Sequence, residues 1–376
     1  MKNPFKFDIE VAGEFFCGRE EDIDDIKEYI ENGTNVIMFS KRRIGKSSLI
    51  KEIFANSIDK SILTAHIDIY AISSSKELYE YLKAGIEDSL LGCEKSLDKL
   101  AKLTESIRGF FTNADVVLTI GAKPSIKISS TQKDYFKAIV DLFNGYFEYL
   151  DNNNLQAVVA IDEFQKIVSL TQSQKIEETL RTIVNKRKNC SFIFTGSKRN
   201  ILLSLFNRSD RPFFKLGTQY HLGAIDEDIF YKWTKDRLKR KDIFLDKEAF
   251  RYLYVTADGE TRFMQMISYE LFKRLEQTSV ITPQLMSEYI NRVILKNKDL
   301  GVLLDTYTIN QQNALKIVAK MNGKNIYNKE ILDEYGISKG ACQTAISSLV
   351  SKGVVFNDEQ AYQFEDVELK LWLSRI

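Results

Sequence analysis

The 376-residue chain is poor in the residues that usually build metal cages and nucleophilic triads. It has two histidines, His66 and His221, and four cysteines, Cys17, Cys93, Cys190 and Cys342, with no CxxC pair. Two imidazoles and scattered thiols cannot assemble the usual zinc cage, and His-dependent triads are nearly excluded. Isolated thiols also argue against a disulfide framework and for a reducing compartment, so the expected location is the cytoplasm. Proline (4) and glycine (18) are scarce while hydrophobic residues reach 44%, which excludes collagen-like and disordered chains. The segment Met1 to Phe16 lacks the apolar stretch behind a basic start that a secretory signal needs. No apolar run approaches the ~18 residues required to cross a bilayer, so no membrane partner is expected. An excess of one charge is missing too: 53 Lys+Arg stand against 52 Asp+Glu, which leaves no global field toward nucleic acid. What remains is chemistry made from lysine, carboxylates and hydroxyls.

Domains typically run about 100–200 residues, so this length predicts two or three. Residues 1–225 alternate short apolar runs with helical spacing. Strands are predicted at Val36–Phe39, Ser61–Tyr70, Gln156–Ile161 and Ser191–Thr195, and helices at Leu49–Ala55, Ser75–Leu90, Tyr135–Leu150 and Ile176–Arg187. A hairpin is predicted from Val116–Ile120 and Ser125–Ile128 around Gly121-Ala122-Lys123-Pro124. That order predicts an α/β core with a parallel sheet and right-handed crossovers. Residues 226–302 read as all-helical, with helices over Asp226–Leu238, Asp246–Ala257, Arg262–Gln277 and Thr282–Leu300. Residues 303–376 read as a winged helix-turn-helix: helices Gln311–Met321, Lys329–Tyr335 and Lys339–Lys352, then strands Val354–Asn357 and Tyr362–Glu365. Glu368-Leu369-Lys370 fits an amphipathic end that packs Leu369, Leu371 and Trp372 inward.

The strongest chemical signal is a strand–loop–helix. The phosphate-binding loop pattern is G-x-x-x-x-G-K-[ST], and the chain carries Ser40-Lys41-Arg42-Arg43-Ile44-Gly45-Lys46-Ser47-Ser48. Successive backbone N–H groups of such a loop point at a β-phosphate, and the chain at Gly45 must pass close to it. Lys46 is positioned to reach the β- and γ-oxygens and the Ser47 hydroxyl to ligate Mg²⁺. The pattern's first glycine is Ser40, a modest cost at negative φ and a serious one at positive φ. A second signal, Val158-Val159-Ala160-Ile161-Asp162-Glu163, reads as a buried strand ending in two carboxylates about 115 residues downstream. Asp162 would hold Mg²⁺ through water, and Glu163 would polarise an attacking water. Paired, the two motifs predict a phosphate clamp and a metal at the carboxyl edge of one sheet.

Four strings together resemble a known family: Phe16-Cys17-Gly18-Arg19-Glu20-Glu21-Asp22-Ile23, Arg42-Arg43-Ile44-Gly45-Lys46-Ser47-Ser48-Leu49, Ile161-Asp162-Glu163-Phe164-Gln165 and Phe194-Thr195-Gly196-Ser197. Over roughly residues 14–300 they resemble the archaeal-type P-loop ATPases, related to the AAA+ and STAND ATPases. The resemblance implies ATP as the nucleotide, Mg²⁺ as cofactor and an ATP-driven switch. ATP over GTP follows from the resemblance, and no guanine-reading Asn-Lys-x-Asp string is present. It also implies that Phe16, Cys17, Gly18 and Arg19 flank the base, and that Thr195 or Ser197 senses the γ-phosphate. Arg262, in Gly259-Glu260-Thr261-Arg262, would be the phosphate-facing sensor of a helical lid. Arg208, Arg211 or Lys215 fall where relatives carry a Leu-Tyr-Gly-Arg string, from which this chain departs. A homo-oligomer is among the partners the resemblance leaves open.

The winged helix invites either DNA or a protein partner. Residues 305–376 hold 8 Lys+Arg against 9 Asp+Glu, a net of −1. Duplex affinity comes largely from phosphate neutralisation, so a module with this balance is a weak anion binder. Lys339, Gln343, Ser347 and Lys352 offer a few contacts on the predicted recognition helix, while Asp358 and Glu359 would repel phosphate at the wing. Two functions follow: an ATP-hydrolysing switch, or a nucleotide-gated DNA-binding regulator with little turnover.

Overall fold

A computed structural model describes residues 2–92, 97–111, 113–119, 125–187, 189–297, 299–358 and 361–376. The chain forms two compact units: one is Val11–Ser40 with Lys46–Gly223, the other Met1–Glu10, Lys41–Gly45 and Ala224–Ile376.

The elements of the first unit run α1 (Glu20–Glu31), β1 (Val36–Phe39), α2 (Lys46–Glu52), β2 (Leu63–Asp68), α3 (Ser75–Leu91), α4 (Leu97–Arg108), β3 (Ala114–Thr119) and β4 (Ser125–Ser130). They continue with α5 (Tyr135–Asn152), β5 (Ala157–Asp162), α6 (Ser173–Lys186), β6 (Cys190–Gly196), α7 (Arg199–Asn207) and β7 (Thr218–His221). Five strands make one parallel sheet in the order β2-β5-β6-β1-β7. The three central strands are buried along their whole length and mostly apolar, because a parallel sheet covered by crossover helices has no wet face. The edge strand β7 alternates half-buried and exposed residues, and its weak apolar signature hides it from a sequence reading. The core unites the sheet with α3, α5, α6 and α7. Gly85 lets α3 lie directly on β2, since a Cβ there would collide with Ile67. The antiparallel pairing of β3 with β4 agrees with the predicted hairpin, whose turn at 121–124 lies outside the described residues.

The second unit contains α8 (Glu227–Lys239), β8 (Phe244–Leu245), α9 (Lys247–Thr256), α10 (Thr261–Arg274), β9 (Val280–Ile281), α11 (Pro283–Lys296) and α12 (Asp299–Asp305). Asp226, Asp246 and Thr282 cap α8, α9 and α11 with their side chains, as their positions in the sequence suggest. The predicted single helix over Thr282–Leu300 is instead two, α11 and α12, with Asn297 as the C-cap of the first. The N-terminal segment belongs to this unit. Phe5 is fully buried with its ring 5.7 Å from Trp233 and 6.2 Å from Phe272. Then come α13 (Ile309–Lys320), α14 (Lys329–Glu334), α15 (Lys339–Ser351), β10 (Val355–Asp358), β11 (Ala361–Phe364) and α16 (Val367–Leu373), the element order of a winged helix. A capping box at Thr308 and Gln311 opens α13, and Asn328, Ser338 and Asp366 cap the later helices.

Candidate active site

Ser40 follows directly on Phe39, the last residue of β1, and is buried. Ser40 is not among the residues with positive φ, so serine stands at the first-glycine position without backbone strain. Gly45, at φ +106°, does require glycine. A Cβ built there meets no heavy atom within 4 Å, so the space beside the backbone at Gly45 is open. The amine of Lys46 is buried and donates to Ser40 Oγ at 3.0 Å. The loop residue that departs from the pattern therefore holds the ammonium that the pattern sends to phosphate.

Ser47 Oγ donates to Asp162 Oδ2, and Thr195 Oγ1 donates to Asp162 Oδ1. Three strands of one sheet converge here: β1 leads into the loop, β5 ends in Asp162, and β6 lies beside β5 and carries Thr195. His66, on the other neighbour of β5, places Nε2 3.7 Å from Asp162 Oδ2. Burial alone would raise the pKa of Asp162. The nearby His66 imidazole and the hydrogen bonds from Ser47 and Thr195 outweigh it and hold the carboxyl well below its ordinary range. Asp162 is thus an anion in a buried, hydroxyl-lined corner. No group of three or more His, Cys, Asp or Glu side chains capable of holding a metal occurs among the described residues. One carboxylate and one hydroxyl fit Mg²⁺, which usually takes few protein ligands and completes its shell with phosphate and water.

Glu163 follows in a left-handed backbone conformation, φ +56°. Its neighbour Phe164 is fully buried, with its ring centroid 4.5 Å from that of Phe194, and anchors this turn in the aromatic core. Ser197 Oγ donates to Glu163 Oε2 at 3.0 Å, and Gln165 Nε2 donates to the same oxygen.

Of the predicted site residues, Ser47, Asp162 and Thr195 meet directly, with Glu163 and Ser197 bonded beside them and Lys46 on Ser40. Ser48 accepts from the Val11 N–H at 3.2 Å, within the same unit. The Phe16–Arg19 segment precedes α1. Cys17 and Arg19 are buried, and the Arg19 guanidinium bonds Asp22 and the Gly223 carbonyl, each at 3.0 Å. Lys41, Arg43 and Ile44 belong with the second unit. There Lys41 pairs with Asp258, Arg43 pairs with Asp366 at 2.8 Å, and Thr261 Oγ1 donates to the Ile44 carbonyl at 3.0 Å. Arg262 lies in that unit too. Its N–H donates to the Arg43 carbonyl at 3.2 Å and its guanidinium pairs with Asp8 and Glu368. Arg42 is half-buried in the loop. Among the arginine-finger candidates, Arg208 pairs with Asp210 on the surface, while Arg211 sits 3.0 Å from the fully buried Glu177. Arg211 is thereby committed inside its own unit.

The sequence reading missed two residues of this site. Gln165 was part of the Asp-Glu-Phe-Gln string, so its spacing was visible but its bond to Glu163 was not. His66 gave no signal beyond its rarity, because its role depends on which strand lies next to β5.

Residues 16–266 match the family described as an ATPase domain predominantly from Archaea, and residues 301–375 match one described as a probable winged helix domain. No curated protein matches the chain by sequence. Among solved structures, the chain is similar to a Walker-type ATPase of Pyrococcus abyssi, at 15% identity and TM-score 0.66, with 97% of each chain covered. It is also similar to the ORC2 protein of Aeropyrum pernix in ADPNP–ADP complexes, at 13% identity and TM-score 0.56, covering 95% of this chain and 92% of that one. At these identities the likeness is one of fold: a parallel-sheet P-loop core followed by a winged helix.

Proposed function

Because the chain belongs to the family of ATPase domains found predominantly in Archaea, we propose that it binds ATP with Mg²⁺ and hydrolyses it as a molecular switch. The observation that carries this reading is the convergence of Ser47 and Thr195 on the two oxygens of Asp162, at the loop end of the sheet. Lys46 exchanges Ser40 for the β- and γ-phosphate oxygens when nucleotide enters. Ser47 and Asp162 would hold Mg²⁺, which when bound supplies neutralisation of charge on the phosphate oxygens. Glu163 orients the attacking water by accepting a hydrogen bond from its O–H, and Thr195 and Ser197 keep both carboxylates in register. Phe16 to Arg19 flank the base, a role that rests on the family resemblance alone.

Coupling of turnover to the lid and winged helix is part of the proposal. Its support lies within the second unit, where loop residue Arg43 is paired with Asp366, the N-cap of α16, and Arg262 with Glu368 on the same helix. A loop that tightens on phosphate pulls on two carboxylates of the winged helix. We take the cytoplasm as the site of action, as the scattered thiols suggest.

The test is ATP binding and turnover for the wild type, Lys46→Ala and Glu163→Gln, with and without duplex DNA. Loss of binding in the first variant and loss of turnover with retained binding in the second are expected. Wild-type protein that neither binds nor hydrolyses ATP refutes the reading. A second reading, nucleotide-gated DNA binding with little turnover, is favoured by the exposed face of α15, where Lys339, Gln343 and Ser347 stand free of the core. Slow turnover together with a large ATP-versus-ADP difference in duplex affinity would select it. The net charge of −1 in this module argues for a protein partner instead.

A further inference from the structure

Gln165 is buried, and its two amide atoms face different neighbours. Nε2 donates to Glu163 Oε2. Oε1 has no hydrogen-bond partner among the described residues and fills the space over the Cα of Gly196. A Cβ on Gly196 would collide with that oxygen and approach Leu202 Cδ2 at 3.3 Å. Gly196 does not have a positive φ, so its backbone does not demand glycine. The residue is small because the Gln165 amide occupies the place of a side chain. Burying a primary amide with one end unpaired is costly, and an apolar residue would pack there without penalty. The observed arrangement is explained if the amide serves Glu163.

We infer that Gln165 is a positioning residue for Glu163 in the hydrolytic step, and that Gly196 is the vacancy that lets it reach. This rests on the reading of Glu163 as the water-orienting carboxylate. Gln165 and Ser197 both donate to Oε2, from the turn after β5 and from the end of β6. Among the described residues nothing bonds Oε1, so the pair fixes one oxygen and leaves the other to accept from a water. Glu163 is only partly buried and its side chain has three rotatable bonds. Without the amide the carboxylate samples several rotamers, and small misplacements of a catalytic group cost rate steeply. Nucleotide affinity, set at the loop, does not depend on this bond.

The experiment compares steady-state ATP turnover and binding of a non-hydrolysable ATP analogue in wild type, Gln165→Met, Glu163→Gln and the double variant. Methionine keeps the length and burial of glutamine and removes its donor. The expected result is a kcat lowered about 10-fold or more in Gln165→Met, with analogue affinity unchanged and the thermal midpoint not lowered. In the Glu163→Gln background the same change adds no further loss, since there is no carboxylate left to position. Gly196→Ala probes the same contact from the other side. It is expected to lower kcat alone and to add nothing once residue 165 is Ala, whose side chain leaves the space open. A kcat for Gln165→Met equal to or above that of the wild type, or an equal further loss in the Glu163→Gln background, overturns the inference. Wild-type protein without turnover, or Glu163→Gln as fast as wild type, overturns instead the reading on which it rests.

Discussion

Lys46 and Ser40 are six residues apart and joined by a 3.0 Å hydrogen bond in which the buried ammonium donates to the hydroxyl. The serine occupies the position where the loop pattern has its first glycine, and it acts as the acceptor for the Lys46 ammonium. In the proposed reading, phosphate oxygens compete for the same donor.

Ser40→Ala is therefore expected to destabilise the nucleotide-free protein by about 1.5–3 kcal/mol, the range for a hydrogen bond to a charged group. With a non-hydrolysable ATP analogue present, phosphate takes over the ammonium and the deficit shrinks. Urea unfolding of both proteins with and without the analogue measures the two differences. Equal deficits in both conditions would mean that Lys46 does not change partners.

The Arg43–Asp366 pair links the phosphate loop to the winged helix, and Asp366 Oδ1 also accepts from the Leu369 N–H at 3.1 Å as the cap of α16. The two roles separate by substitution. Asp366→Asn keeps a capping oxygen and loses the charge. Because both side chains are about a third exposed, its cost in stability is about 0.5 kcal/mol or less. Asp366→Ala also loses the cap and is expected to cost about 1 kcal/mol more. Both variants release Arg43 toward anions, so ATP affinity rises a few-fold in each, read by titration calorimetry. Unchanged affinity in both would dissociate the loop from the winged helix.

Much of this site could be read from sequence because its chemistry is local. The run Val36–Phe39 before Gly45-Lys46-Ser47 and the run ending in Asp162-Glu163 each declare a buried strand and its loop. Their convergence follows from the rule that ligands bind at the carboxyl ends of parallel strands. Partners supplied by folding were not legible. Asp8 and Glu368 on Arg262 lie 254 and 106 residues away, with no spacing rule to link them. Membership of Met1–Glu10 in the second unit depends on Phe5 finding Trp233 and Phe272, which a short terminal segment does not announce. The division of residues 282–300 into α11 and α12 escaped for another reason: the apolar spacing continues through the break, and the C-cap Asn297 is no strong helix breaker.

Glu260 precedes α10 and is buried among Arg43, Arg262, Asp366 and Glu368. Burial pushes its carboxyl pKa up to about 7, against the opposing pull of Arg43 and Arg262. The folded state therefore holds a proton that the unfolded chain, titrating near 4.5, has lost. Between those two values the native protein binds more protons than the unfolded one, so stability falls as pH rises from about 4.5 to about 7. The loss is of order 1–3 kcal/mol, complete above the folded pKa. Glu260→Gln mimics the protonated form and should flatten this slope, being near wild type at pH 5 and more stable at pH 8. Unfolding free energies at the two pH values give the comparison, and parallel curves would count against a protonated Glu260.

Removal of Mg²⁺ should act only through nucleotide. Asp162 already receives hydrogen bonds from Ser47 and Thr195 without any ion, and its depressed pKa marks it as an anion satisfied by the protein itself. Nor do the described residues gather three or more acidic, His or Cys side chains that could bind a cation unaided. Mg²⁺ or a chelator alone should therefore leave the thermal midpoint of the nucleotide-free protein unchanged. ATP with Mg²⁺ at about 100 times its dissociation constant should add about 2.7 kcal/mol, and chelation should remove most of that gain. A midpoint that rises with Mg²⁺ alone would place a metal site in the protein that does not depend on phosphate. Asp162→Asn discriminates further, because the amide keeps one acceptor for Ser47 or Thr195 but carries no charge for the ion. In that variant the stabilisation by ATP should be nearly the same with Mg²⁺ and with chelator.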